Sequence, residues 1–282
     1  MSAATAATTG GPRDEAALLA AAARWRPPPL VANPYLRRAL WIGAALYLAA
    51  ALGTMEVNWA RAAEGWARGG RFLAAFFPPD FASKWEDIAE GLLESLTMTV
   101  VSTALGIALS VPVALAAARN LAPLPVYAAA RAVVALARTF QEVLVAILFV
   151  AMFGFGPLAG TLTLAFATVG FLGKLLAEDI EAVDPAPLEA MRAAGAGWWS
   201  VLAWGVLPQV KPRLLGLSLY RLDINFRESA VLGIVGAGGI GATLTTAFDR
   251  YEFGTAAAVL ILIIAIVMAA EYASGVIRRA AL

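Results

Sequence analysis

The residues most able to do chemistry lie in one apolar stretch, 214–235, which contains Arg221, Asp223, Asn225, Arg227 and Glu228. Asp223 and Arg227 are four residues apart and can pair on one face of a helix. Arg221, Asn225 and Glu228 also recur at helical spacing, so we expect a polar stripe. Charged side chains inside an apolar segment usually face a helix-bundle interior or a water-filled cavity. The stripe therefore either lines the route of an anion, with Arg221 or Arg227 offering charge, or holds helices together by ion pairs.

A shorter pair of charges, Arg138 and Glu142, lies in another apolar segment. The two residues are also four apart, and we expect a structural ion pair within one helix. No arrangement of residues in this segment suggests catalysis.

Catalysis by histidine or cysteine is excluded because the chain has neither residue. There is consequently no His general base, thiol nucleophile, disulfide, or metal held by His or Cys. We expect no metal and no cofactor in this chain, although a membrane enzyme with a metal held by carboxylates is an alternative that the residue types leave open.

The glycine-rich run Gly236-Ala-Gly-Gly-Ile-Gly241 follows an apolar segment and superficially matches a dinucleotide-binding turn. That turn requires a soluble βαβ unit and a complete sheet, whereas only 41 residues follow Gly241 and most of them are apolar. We interpret Gly236, Gly238, Gly239 and Gly241 as a gate or a point of close helix packing.

The elements that position these residues must be membrane helices. Of the 282 residues, 61% are hydrophobic and 15% are charged, and the mean hydropathy is +0.75. Soluble domains are roughly 45–50% apolar and about 25% charged. The formal net charge of +1 leaves no basic surplus for binding nucleic acid. The composition predicts an all-α integral membrane protein.

Six apolar segments are long enough to cross a bilayer, for which about 20 residues are needed. We predict spans at 39–55, 91–118, 131–153, 158–177, 214–235 and 254–277, with a break between the third and fourth at Phe153-Gly-Phe-Gly-Pro157. Most Lys and Arg residues fall in segments that would be inside if both termini are cytoplasmic, which is the orientation that the positive-inside rule favours.

Two regions flank the first span. Residues 1–38 are expected to form a cytoplasmic tail, because acidic residues precede the short apolar run where a signal peptide would carry positive charge. Residues 56–90 are rich in aromatic and charged residues, which settle at membrane interfaces. We expect a periplasmic loop with a helix lying on the membrane surface.

The loop 178–212 is the most informative segment. Glu189-Ala190 is followed by Gly195 and then, after a fixed spacing, by Leu207-Pro208. This pattern resembles the coupling motif of ABC-importer permeases, in which two short helices bent at the glycine dock in the ATPase subunit. Met191 stands where the family has a second alanine, and Gly205 where isoleucine is common. The resemblance assigns ATPase coupling to Glu189, Ala190, Arg192, Gly195, Leu207 and Pro208. We expect Gly195 to permit the reversal and Pro208 to limit the helix before the next span.

The resemblance extends over about 90–280. The stretches around Arg138, 205–209, 219–225 and 230–241 resemble the permease subunit of phosphonate-type importers, a branch that includes phosphite and phosphate permeases. It implies a type I, methionine-importer-like permease fold in a bacterial inner membrane. It also implies two ATPase subunits that bind ATP and Mg, a periplasmic or lipid-anchored substrate-binding protein, and a second permease that is an identical copy or a paralogue. Because this chain has no Walker-type P-loop, a partner must hydrolyse the ATP.

An ion-coupled secondary transporter of a small anion is the main alternative. It would use the charges of the fifth span for coupling, but such transporters are commonly built from inverted repeats with matching broken helices. No such repeat is visible in this sequence.

Overall fold

The computed structural model describes residues 33–55 and 58–281, and this part of the chain is built of helices and turns, with no strand. The first 32 residues of the predicted cytoplasmic tail lie outside the described residues. The chain divides into two compact units, Met1–Ala67 and Arg68–Leu282. The first contains helix α1, Pro34–Thr54, and the start of α2, Trp59–Ala74.

The second unit contains the remaining helices. These are α3, Trp85–Ala116; α4, Leu124–Thr139; α5, Glu142–Phe153; α6, Pro157–Glu181; α7, Pro185–Ala193; α8, Leu207–Leu232; α9, Ile240–Asp249; and α10, Phe253–Ala281. A helical turn, Trp198–Ser200, and a π-helical segment, Val201–Val206, lead directly into α8. A 3₁₀ turn, Gly233–Val235, follows it.

Four helices in the described residues are long and apolar enough to cross a membrane: Pro34–Thr54, Trp85–Ala116, Pro157–Glu181 and Phe253–Val276. Two bent pairs, α4 with α5 and Trp198–Val235 with α9, bring the number of candidate spans to six if each pair is one span. The all-α membrane fold predicted from composition is confirmed.

The predicted single span 131–153 is wrong in shape. Helix α4 begins earlier, at Leu124, and ends at Thr139, and α5 leaves it at an angle of 93°. Phe140 and Gln141 between them have extended backbone, and the Gln141 carbonyl accepts the first N–H groups of α5, from Leu144 and Val145. The extended backbone at these two residues interrupts the hydrogen-bond ladder of α4, so α5 begins a new ladder in a different direction.

Helices α3 and α6 run side by side in the same direction and form the most extensive helix pair of this unit. Small residues allow the close approach, since Gly106 lies against Thr168 and Gly160 against Met98. Buried hydroxyls along the pair donate to carbonyls four residues earlier, as Thr103 does to Thr99 and Thr168 to Leu164. Small residues and satisfied hydroxyls are the usual means by which membrane helices pack tightly.

Candidate functional site

The predicted coupling loop folds as a helical hairpin. Asp184 begins α7 by accepting the backbone N–H of Ala186 at 3.0 Å. The helix ends in a reversal at Gly195, whose φ of +80° lies in the left-handed region. The N–H groups of Gly195 and Ala196 donate back to the carbonyls of Arg192 and Met191, each at 3.0 Å. These two bonds form a Schellman motif, which requires the left-handed conformation that glycine adopts without strain.

One side of α7 is buried against the start of the next helix. Leu188 is 4% exposed and packs in an apolar cluster with Val201, Leu202 and Val206. Gly205 lies so close that a Cβ there would sit 3.4 Å from Leu188 Cδ1 and from Met191 Sδ. The other side of α7 faces outward, with Glu189, Ala190 and Arg192 exposed.

The sequence suggested that Pro208 limits the helix before the next span, but no helix ends at Pro208 in the structure. The helix instead continues from Trp198 through the π-helical segment into α8, and Pro208 and Pro212 both lie inside it. A proline ring clashes with the carbonyl four residues earlier and provides no N–H for it. The π-helical segment contains that carbonyl, of Trp204, and Leu207 N–H bonds five residues back to Leu202. The wider turn accommodates the proline.

Two side chains outside the motif, Gln209 and Glu181, hold the ends of the hairpin in place. The Gln209 side chain accepts the Asp184 backbone N–H at 3.0 Å and donates to the Gly205 carbonyl at 2.9 Å. At the end of α6, Glu181 pairs with Arg131 at 2.9 Å and accepts the Arg119 backbone N–H at 2.7 Å. These positioning residues lie outside the coupling motif, and the spacing of residues in the sequence does not indicate their partners.

The charged residues of α8 lie on opposite faces of the helix rather than on one stripe. Successive residues of an α-helix are rotated by about 100°, so Arg221, Asn225 and Glu228 face the interior. Asp223 and Arg227 lie on the far side. The Arg221 side chain is 4% exposed and that of Arg227 is 57% exposed.

Arg221 is the centre of a buried polar network. Its Nε donates to Thr168 Oγ1 at 3.0 Å, and one terminal nitrogen contacts Glu142 Oε1 at 3.0 Å and Glu228 Oε2 at 3.5 Å. The guanidinium carbon also lies 5.6 Å from the centre of the Phe171 ring. One helical turn further along α8, the Asn225 side chain donates to Thr168 Oγ1 at 3.1 Å and to Thr103 Oγ1 at 2.8 Å. The network joins α3, α5, α6 and α8.

The predicted ion pair of Arg138 with Glu142 is wrong. A pair four residues apart requires one continuous helix, and the 93° bend falls between these two residues. Glu142 instead begins α5 and pairs with Arg221, 79 residues away in sequence. The bend is what brings Glu142 to that partner.

The outer face of α8, which is the side of the helix opposite Arg221, carries a different pair. Arg227 donates to Asp223 Oδ2 at 2.6 Å. Tyr220, Val231 and Ile234 are exposed on the same side, at 44%, 49% and 60%. Arg227 is 57% exposed, whereas the Asp223 side chain is 12% exposed and its buried Oδ1 has no hydrogen-bond partner among the described residues. An exposed arginine cannot face hydrocarbon without a cost of at least about 2.5 kcal/mol. This face of α8 is therefore suited to water or to protein.

The glycine-rich segment is closely packed. Gly236, Gly238 and Gly239 have φ of +83°, +80° and +75°. A Cβ on Gly238 would lie 2.8 Å from Glu94 Oε1, and one on Gly241 would overlap the Ala230 carbonyl. The segment follows a helix rather than a strand, which is not the setting of a dinucleotide-binding turn.

No group of three or more acidic side chains in the described part of the chain is arranged to hold a metal ion. The candidate functional features of this part of the chain are the hairpin at Gly195, the two faces of α8 and the glycine-rich turn.

The family described as "Binding-protein-dependent transport system inner membrane component" matches residues 92–280. This is well over half of the 282 residues. The chain belongs to this family. The hairpin, both faces of α8 and the glycine-rich turn of this inner membrane component all fall inside the match, whereas α1 and α2 lie outside it. The family is a permease part of transport systems and not itself catalytic.

Two curated relatives carry substrate names. The Phosphate-import permease protein PhnE of Mycolicibacterium smegmatis is 46% identical over 202 residues, which are 71% of this chain and 38% of the relative. The chain thus spans well under half of that relative's length. The Phosphite transport system permease protein PtxC of Stutzerimonas stutzeri is 44% identical over 203 residues, 72% of this chain and 74% of the relative.

The fold of the inner membrane component is that of a solved importer subunit. A structure described as inward-facing conformations of the MetNI methionine ABC transporter aligns with a TM-score of 0.61 and 24% identity. The alignment covers 71% of this chain and 99% of that one. The predicted type I, methionine-importer-like permease fold is confirmed.

Proposed function

We propose that this chain is the permease subunit of an ATP-driven importer for phosphonate or a related phosphorus oxyanion, phosphite or phosphate. The observation that carries the proposal is 44% identity to a phosphite permease, with nearly three quarters of each chain aligned. The relative named for phosphate import supports the same substrate class. All three cargoes are small tetrahedral anions, so one type of path would serve them.

The partners follow from the proposed role. Two copies of this permease, or this permease and a paralogue, would form the path through the bacterial inner membrane. Two ATPase subunits would bind ATP and Mg²⁺, and a binding protein in the periplasm or on a lipid anchor would deliver the anion. The excess of Lys and Arg in segments 1–38, 119–131 and 174–213 supports cytoplasmic termini.

The hairpin at Gly195 is suited to receive force from an ATPase. Its exposed residues Glu189, Ala190 and Arg192 offer a contact surface. Leu188 and Gln209 tie the same hairpin to the start of α8. A displacement of α7 would therefore be passed to α8 through buried contacts and hydrogen bonds. Leu207 and Pro208 are the first two residues of α8 and are exposed as well.

The path for the anion would run along the outer face of α8. Arg227 is exposed there, while the Arg221 side chain is only 4% exposed and is paired with Glu142 and Glu228. Asp223 beside Arg227 offsets part of its charge. Weak attraction is what a path requires, because an anion held tightly would not be released.

Reconstitution tests the function. In proteoliposomes, the chain together with its ATPase and binding protein should take up phosphonate, phosphite or phosphate when ATP is supplied on the ATPase side. The chain alone should be inert, with or without a proton or sodium gradient. Uptake by the chain alone, driven by an ion gradient, would instead favour a secondary transporter.

Replacement of Arg227 tests the path. Arg227→Gln should lower uptake by roughly tenfold, which corresponds to about 1.4 kcal/mol of lost interaction with the anion in transit. Folding and assembly should be preserved, since the side chain is 57% exposed. The measurement is initial uptake rate together with the amount of complex purified. The isosteric control is Tyr220→Phe on the same face, which keeps the shape and adds or removes no charge. Unchanged uptake in Arg227→Gln would remove this residue from the path.

A further inference from the structure

Helix α2 lies outside the family match and has two chemically distinct sides. Trp66, Gly70 and Leu73 follow one another at spacings of four and three and share one side, whereas Arg61 and Arg68 share the opposite side. The apolar side is uncovered, because Trp66 is 89% exposed and Leu73 is 65% exposed. An apolar side of this kind must be covered by lipid or by protein.

The C-terminal end of α2 is fixed at the depth where α10 begins. Phe72 and Phe76 contact Phe253, the first residue of α10, with ring centres 5.3 Å and 5.8 Å away. Beyond the end of α2, the Asp80 backbone N–H donates to the Gly254 carbonyl at 2.9 Å. Helix α10 is the most apolar of the candidate spans, so its first residues mark the boundary between the bilayer and water.

These contacts separate the aromatic residues of 56–90 into two groups. Phe72 and Phe76 pack against the protein, although the sequence suggested that the aromatic residues of this segment settle in the membrane interface. Trp66 and Leu73 remain exposed. The last turn of α2 is held where α10 begins. The uncovered apolar side of α2 therefore faces the lipid or protein found at the bilayer boundary.

The chemistry of α2 matches a bilayer surface. Its polar side carries Arg61, Glu64, Arg68 and Arg71, and its apolar side carries Trp66 and Leu73. Helices with this division lie in the membrane plane with the apolar side about 5–10 Å into the headgroup and acyl boundary. Tryptophan is enriched at that depth. A protein partner that binds and leaves would expose Trp66 to water between encounters.

We propose that α2 is a lipid-binding element that lies in the bilayer interface on the side where α10 begins. Trp66 and Leu73 contact phospholipid acyl chains, and the arginine side lies at the headgroups and water. The proposal is independent of the transported substrate, because it uses only the membrane setting of the chain and the described contacts of α2.

Two glycines on α2 allow a matched test, because the chain has no Cys and both glycines have open space around them. Gly70→Cys places a thiol on the apolar side, and Gly65→Cys places one about 140° away around the helix. Each full-length variant is labelled with one environment-sensitive fluorophore and reconstituted in vesicles of phosphatidylethanolamine and phosphatidylglycerol. Quenching is measured with brominated acyl chains and with aqueous iodide.

The fluorophore at position 70 should be quenched several-fold more by brominated lipid than the one at position 65, and iodide should show the reverse order. Leu73→Cys provides a second probe on the apolar side and should behave as Gly70→Cys does. Equal and strong quenching by iodide at both positions would mean that α2 lies in water. Protection of position 70 from both quenchers would mean that protein covers the apolar side. Either result would overturn the proposal.

Discussion

Replacing Gly195 with valine is expected to reduce ATP-driven uptake about tenfold or more while the chain still inserts in the membrane. Gly195 has φ of +80° at the reversal that ends α7, a conformation that costs a residue with a Cβ roughly 1–2 kcal/mol and a β-branched residue more. No atom lies within 4 Å of the position that a Cβ would take. The effect therefore comes from backbone strain alone, and the strain is relieved by unfolding the turn that presents Glu189 and Arg192.

The matched control is Gly197→Val. Gly197 is two residues away and equally open, but its φ of −70° suits any residue. Its uptake should stay near that of the parent chain. Gly195→Asn should be intermediate, since asparagine tolerates the left-handed region better than valine. Uptake and copurification of the ATPase are the measurements. Equal activity of Gly195→Val and Gly197→Val would mean that the reversal is not needed for coupling.

Replacing Arg221 with alanine is expected to destabilise the permease by about 3–5 kcal/mol, the usual cost of removing one partner from a buried ion pair. The loss has two parts: Glu142 and Glu228 would be left without their shared cation, and Thr168 would lose a donor. Thermal unfolding in detergent and the yield of monodisperse protein measure the effect. The sequence left two roles open for Arg221, contact with the anion or ion pairing that holds the helices together, and the buried network favours the second.

Arg221→Lys and Arg227→Ala separate the two roles. A lysine ammonium keeps the charge but cannot reach Thr168 and both carboxylates with the fixed fork of a guanidinium, so partial recovery of stability is expected. Arg227→Ala removes an arginine that is mostly exposed on the same helix but leaves Asp223, which is 12% exposed, without this partner, so the unfolding temperature should fall clearly less than in Arg221→Ala. If Arg221→Ala unfolds at the parent temperature but loses uptake, Arg221 acts on the anion after all.

The membrane fold and the hairpin could be predicted because they depend on local signals. Composition and long apolar runs indicate membrane helices, and a glycine at a fixed distance from Glu189 indicates the reversal at Gly195. The bend between Thr139 and Glu142 depends on a partner far away in sequence. The spacing of residues along one sequence carries no information about that partner. It therefore predicts an ion pair with Arg138, the arginine nearest to Glu142 in sequence.

The division of α8 into two faces follows from helix geometry. With about 3.6 residues per turn, Arg221, Asn225 and Glu228 fall on one side, and Asp223 and Arg227 fall on the other. The continuation of the helix through Pro208 does not follow from the sequence rules. Proline commonly ends helices, but the π-helical turn before it provides room that the rule does not anticipate.

The two faces of α8 have a practical consequence for changing what such a protein carries. The residues that hold the bundle together, centred on Arg221, point one way, and the exposed residues Tyr220 and Arg227 point the other. On the proposed path, substitutions on that exposed face would change selectivity without disturbing the framework, which is the separation that directed evolution of a new cargo preference requires.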